Sequence, residues 1–244
     1  MFAEQPLSNP LDRGNLLQMP DGDATMNTLI IGASGGIGSA MADAARARGD
    51  SVTTLSRSVD NLDITDEASI TDAFKTLDGP FDLILITTGI LMPDGERPEK
   101  SIRDVTPQNL AATYAANAIG PMLLMKHALP LLARDTRAVI AVLSARVGSI
   151  GDNQIGGWHA YRASKAGLNQ LIHGAAIEMK RTHKQAIAVC LHPGTVETEF
   201  TANYPGHRKV TPPEAAQNLL SVIDTLAPES TGGFFDYAGK RVPW

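Results

Sequence analysis

The stretch "IIGASGGIGSAMADAARARG", residues 30–49, decides the fold. It runs from an apolar, β-branched segment through a turn carrying Gly32, Gly36 and Gly38 into a segment of helical period. A turn of this composition suits a pyrophosphate. Glycines let the backbone approach the anion, and the helix start presents free N–H groups at its positive dipole end. The same residues satisfy a rival pattern, because Gly32-Ala33-Ser34-Gly35-Gly36 also fits the G-x-S-x-G nucleophile elbow of hydrolases. The elbow belongs after a mid-sheet strand, whereas this turn follows the first strand and carries a surplus glycine. A dinucleotide site is therefore expected, built on Gly32, Gly36 and Gly38.

Outward from this turn the chain keeps one rhythm. Short apolar runs at 28–32, 51–56, 81–88, 138–144 and 186–192 read as strands covered on both faces. Helical segments lie between or after them: Gly36–Arg48, Thr65–Leu77, Pro107–Ala133, Trp158–Arg181 and Pro212–Leu226. Strand–helix alternation builds a parallel sheet with helices on both faces, so a single doubly wound α/β domain of Rossmann type is expected over residues 27–244. Residues 1–26, with three prolines and no sustained period, read as an N-terminal extension.

The strand after the glycine turn selects the nucleotide. NAD binders carry an acid near its end, about twenty residues past the glycines, to bond the ribose 2′-hydroxyl. Here the stretch is "TLSRS", residues 54–58, with Arg57 and no acid. A guanidinium suits a 2′-phosphate, which favours NADP(H) over NAD(H).

Bulk properties exclude other classes. With 43% apolar and 19% charged residues the chain is globular rather than disordered. A net charge of −5 and scattered basic residues argue against a nucleic-acid surface. No apolar run is long enough to span a membrane, and the start lacks the regions of a secretory signal, so a cytoplasmic protein is expected. The single cysteine, Cys190, lies in the apolar run "AIAVCL" and reads as packing. The six histidines show no paired ligand spacing, so no metal site is expected.

Together with "YRASK" at residues 161–165, the glycine turn makes the chain resemble the short-chain dehydrogenase/reductases from about Thr28 onward. The insertion "GSIGDN" and the closing "GGFFDYAGKRVPW" resemble the branch with C-factor and the sniffer-type carbonyl reductases. The resemblance implies further cofactor residues: Ser34 and Ile37 in the glycine turn, Asp63 and Ile64 in "LDITD", and Pro193, Gly194, Val196 and Thr198 in "HPGTVETEF". It implies that Asn117, in "YAANAIGP", helps hold a proton-relay water. One departure is Ile86-Thr87-Thr88-Gly89, where the family has N-N-A-G; Thr88 and Gly89 stand at the expected cofactor loop.

The chemistry implied is hydride transfer between a nicotinamide and a small-molecule carbonyl or alcohol. The protein must then orient the substrate and move a proton at its oxygen. Tyr161 is the expected general acid/base and Lys165, four residues on along one helix face, the charge that adjusts it and a ribose ligand. A second donor should polarise the substrate oxygen. The family's serine slot is filled by Ala145 if Gly148 sets the alignment, so Ser144 is the expected donor. Ser149 is its rival, and the absence of any catalytic serine is the third alternative. Residues 199–214 read as a lid in which Phe200 and Tyr204 cover the substrate. Apolar arcs including Leu123, Leu124, Ala163, Ala166 and Leu168 suggest a homodimer or homotetramer. The alternative function is an NADP(H)-binding regulatory or signalling protein with weak or no catalysis.

Overall fold

The computed structural model describes residues 25–93, 97–203 and 208–244. Most of the N-terminal extension, and Tyr204 of the expected lid, lie outside them.

Five of the six strands stand on the apolar runs. They are β1 (Asn27–Ile31), β2 (Ser51–Leu55), β3 (Leu83–Ile86), β4 (Ala138–Leu143) and β5 (Ala186–His192). A sixth, β6 (Phe234–Asp236), completes one all-parallel sheet of order β2-β1-β3-β4-β5-β6. At three residues β6 is too short for periodicity to reveal, and register with Cys190–His192 is what makes it a strand.

The helices cover both faces. On one side α1 (Gly36–Ala47) and α7 (Pro212–Thr225) bury Met41, Ala45, Leu219 and Ile223 against Ile30, Leu85 and Val189. On the other, α3 (Glu67–Phe74), α5 (Gly120–Ala128) and α6 (His159–Met179) bury Ile70, Leu124, Leu168 and Ile172 against Ile84, Ile140 and Cys190. Alternate residues of each strand thus feed two separate apolar layers, which is why the runs are apolar throughout.

The long segment expected as one helix, Pro107–Ala133, is divided. It comprises α4 (Pro107–Tyr114), a π-helical turn at Ala115–Ile119, α5, and a 3₁₀ turn at Leu129–Leu131. The π turn falls on Asn117, whose side chain is wholly buried. The segment Thr65–Leu77 is shorter than expected because Asp66 caps α3, its carboxylate accepting the Ala68 N–H at 2.9 Å. After β2 a one-turn helix, α2 (Arg57–Asp60), is capped by Ser56.

Because the strand order reverses direction between β1 and β3, their carboxyl ends diverge into a crevice, the usual ligand position of open α/β sheets. The glycine turn and the Thr87-Thr88-Gly89 segment both end there. No helix of the described residues is long and apolar enough to cross a membrane.

Candidate active site

The glycine turn is built as a close-packed corner. Gly32 takes φ 95° and donates its N–H to Leu55 O at 2.8 Å, tying the turn to the end of β2. Gly38 presses against the Gly32 carbonyl, so α1 begins directly above it. The first turn of α1 has no side-chain cap and no acidic residue, which leaves its N–H groups and positive dipole end to an anion. Thr87 stands where the resemblance has an asparagine. Its hydroxyl donates to Ile31 O at 2.9 Å and fills the space beside Gly32 and Gly38. Thr88 Oγ1 is buried without a hydrogen-bond partner. An orphaned buried hydroxyl beside an uncapped helix start is what a polar ligand would complete, so the residues present fit a dinucleotide.

Arg57 opens α2 and is exposed. The Ser56 N–H is taken by Asp60 at 2.7 Å, so this corner contains an acid after all, turned back on the backbone. Asp63 holds Thr65 through both its N–H and its hydroxyl, at 2.8 and 2.7 Å. Those bonds, with a smaller contribution from the Arg57 charge, keep its carboxyl below the usual carboxylate range. Ile64 packs its carbonyl against Gly120 at the start of α5.

Tyr161 and Lys165 lie on the first two turns of α6, both buried. Lys165 Nζ donates to Leu143 O, the last carbonyl of β4, at 2.9 Å. Desolvation pushes the Tyr161 phenol well above its ordinary value and pulls the Lys165 ammonium down to about 8. The phenol is therefore protonated at neutral pH. Asn117 binds the loop to this helix: Oδ1 accepts the Ile90 N–H at 2.7 Å, and Nδ2 donates to Ile90 O at 2.8 Å and Ser164 Oγ at 3.1 Å. A Cβ added to Gly89 would lie 3.2 Å from Asn117 Oδ1 and 3.4 Å from Lys165 Nζ, so Gly89, Asn117 and Lys165 meet at one point. Gly148 lies against the Lys165 backbone.

The two candidate serines make different bonds. Ser144 Oγ donates to Asn169 Oδ1 at 2.6 Å in a buried bond that ties the end of β4 to α6. Asn169 stands four residues past Lys165 on α6. Ser149 Oγ accepts the Asp152 N–H at 3.1 Å and is almost wholly buried.

Pro193, Gly194 and Val196 follow β5, with Gly194 at φ 80° under the Tyr237 ring and Val196 bridged to Val210. Thr198 reaches the glycine turn, since a Cβ on Gly36 would lie 2.7 Å from Thr198 Cγ2. Phe200, on the next turn, sits with its ring centroid 5.8 Å from that of Tyr161, and Trp158 approaches edge-on at 6.1 Å. A cleft of about 460 Å³ opens beside this stretch, bordered by Arg146, His192, Thr195, Arg208 and Tyr237.

His192 Nδ1 is buried with no partner, and desolvation pulls the imidazole down to about 4. Asp236 opposes that shift and Arg146 adds to it. Between pH 6.5 and 4 the unfolded chain binds a proton that the folded one refuses, so stability falls as pH falls through that window. The loss is at most about 3 kcal/mol. Urea unfolding at pH 7 and pH 4.5 should show a smaller acid loss in His192→Gln than in the parent; equal losses would place the effect elsewhere. Cys190 is buried and its thiol is pushed up to about 12, as packing against α6 requires.

The sequence and the fold both have known relatives. Residues 26–209 match the model of the short chain dehydrogenase family. C-signal of Myxococcus xanthus is 33% identical over 169 residues, 68% of this chain and 94% of that protein. A 1-hydroxy-2-glutathionyl-2-methyl-3-butene dehydrogenase of Rhodococcus sp. (strain AD45) is 36% identical over 129 residues, 52% of this chain and 55% of that protein. Among solved structures, a short-chain dehydrogenase/reductase of Burkholderia multivorans with bound NADP superposes with TM-score 0.75 at 28% identity. It covers 90% of this chain and 100% of its own. The carbonyl reductase Sniffer of D. melanogaster shares the fold at TM-score 0.74 and 24% identity, covering 90% of this chain and 100% of its own.

Proposed function

The chain belongs to the short chain dehydrogenase family, and on that premise we propose that it is an NADP(H)-dependent oxidoreductase acting on a carbonyl or secondary alcohol, with Tyr161 as general acid/base. The observation that carries this reading is the buried Tyr161–Lys165 pair at the carboxyl end of the sheet, anchored to β4 through Leu143.

The cofactor when bound supplies the hydride. Gly32, Ser34, Gly36, Ile37 and Gly38 would hold its pyrophosphate, Arg57 its 2′-phosphate and Asp63 with Ile64 its adenine end. Thr88, Gly89, Lys165, Pro193, Gly194, Val196 and Thr198 would hold its nicotinamide half. Tyr161, protonated at neutral pH, gives its proton to the substrate oxygen as charge develops there. A positive Lys165, four residues on along the same helix, would favour the phenolate that remains and so lower the cost of that transfer. Asn117 fixes the loop at Ile90 to α6 and keeps Gly89 beside Lys165. Ser144, mounted at the end of β4 and bonded to Asn169, is the second donor to the substrate oxygen beside Tyr161, with Ser149 its rival.

A calorimetric titration with NADPH and NADH, followed by a carbonyl screen, tests the reading. NADPH should bind at least tenfold more tightly, and Arg57→Ala should erase most of that preference, since one charge-assisted phosphate contact contributes about 1.5–3 kcal/mol. An unchanged preference in the variant would remove Arg57 from the cofactor site. A second reading, NADP(H) binding with weak or no catalysis, is favoured by Ala145 in the serine slot. NADPH binding without consumption across the screen would establish it.

A further inference from the structure

The helix that carries Tyr161 opens without a cap of its own. Gly156, Gly157 and Trp158 take φ values of 70°, 65° and 51°, three left-handed residues in succession. Trp158 holds a bulky side chain in that region, where L residues are disfavoured. As the residue preceding α6, it offers no side-chain acceptor to the first turn. Helix N-termini need acceptors for their free N–H groups, and a buried one needs them from the protein.

They come from 61 residues away. Glu99 is only 4% exposed. Both of its carboxylate oxygens accept the Ala160 N–H at 3.3 Å, and its backbone carbonyl accepts the Trp158 N–H at 2.6 Å. Gly157 is pressed against the same carbonyl, where an added Cβ would lie 3.3 Å away. A carboxylate also suits the positive end of a 21-residue helix. Ala160 directly precedes Tyr161, and the Trp158 ring meets the Tyr161 ring edge-on. Glu99 thus holds two backbone N–H groups, those of Trp158 and Ala160, in the turn that leads directly into Tyr161.

We propose that Glu99 is a positioning residue for the reaction: it clasps the first turn of α6 and holds Tyr161 in register with the rest of the site. The proposal rests on Tyr161 being the acid/base. No periodicity or motif marks Glu99 in the sequence, because its partner groups are backbone N–H groups on a distant loop and helix.

Glu99→Ala, Glu99→Asp and Glu99→Gln in the full chain test it, with NADPH and a carbonyl substrate from the screen. Glu99→Ala should lower kcat about tenfold, equivalent to about 1.4 kcal/mol of barrier, with KM and NADPH affinity within about twofold of the parent. Glu99→Asp withdraws the acceptor by one methylene and keeps the charge, so it should lose kcat similarly even if the alanine variant folds poorly. Glu99→Gln keeps an acceptor oxygen and should restore kcat to within about threefold of the parent. Amide hydrogen exchange over residues 157–162 should speed up in Glu99→Ala and Glu99→Asp but not in Glu99→Gln. Parental kcat in the alanine or aspartate variant, equal kcat loss in all three, or unchanged exchange would overturn the proposal. The exchange experiment does not depend on turnover. If Tyr161→Phe kept parental activity, the reading of Tyr161 would fail while exchange still reported on the clasp.

Discussion

Replacing Tyr161 with phenylalanine should lower turnover by about a thousandfold, within the range general acid/base groups contribute, and leave NADPH binding within about twofold. The substitution removes one oxygen from a fully enclosed ring. Its contacts with Trp158 and Phe200 are ring contacts and survive it. The phenol is driven toward its protonated form by desolvation, so nothing in the fold depends on its charge. The change should therefore appear in kcat rather than in thermal stability. Steady-state kinetics beside calorimetric NADPH titration separates the two. Parental turnover in the phenylalanine variant would remove the acid/base from this helix.

Gly38→Ala should be the most damaging single-methyl change in the cofactor site. The new Cβ would overlap the Gly32 carbonyl oxygen and sit 2.6 Å from Thr87 Oγ1. Neither neighbour yields easily. The first is backbone at a φ of 95°, and the second is bonded to Ile31 O. The start of α1 must lift away, at a cost of about 3 kcal/mol, typical of overpacking at a tight site. NADPH affinity should fall about a hundredfold, because the N–H groups that meet the pyrophosphate move with the helix. Gly35→Ala is the control. Its Cβ would meet the Gly32 carbonyl at 3.4 Å with φ already at −78°, so melting temperature and affinity should stay near parental. Similar losses in both variants would mean that the turn tolerates no side chain anywhere, rather than none at Gly38.

The sheet and its covering helices were legible because their signal is one-dimensional. Buried parallel strands must be apolar on both faces, and "TLIIG", "FDLILITT" and "AIAVCLH" are. The glycine turn, Tyr161 and Lys165 were legible for the same reason, since spacing along the chain is spacing along one helix or one turn. What escaped depends on partners far apart in the chain. Thr87 bracing Ile31, Ser144 bonding Asn169, and Glu99 gripping the start of α6 are separated from their partners by 56, 25 and 61 residues. A strand of three residues such as β6 has no pattern of its own; its neighbour β5 defines it. The break at Ala115–Ile119 was hidden too, because alanine, asparagine and isoleucine there read as ordinary helix.

That π turn also bears on how the chain tolerates changes of length. A regular helix advances about 100° per residue, so losing one residue swings everything beyond it away from its packing partners. A π turn is in effect one residue already absorbed. Removing an alanine between Ala115 and Ile119 would let α4 and α5 fuse into a straight rod with both ends still facing their own neighbours. At this one locus the rod is free to shorten while the fold endures, and what is forfeited is the place of the Asn117 amide. Architecture and chemistry there answer to different residues, so deletion reaches the second without the first.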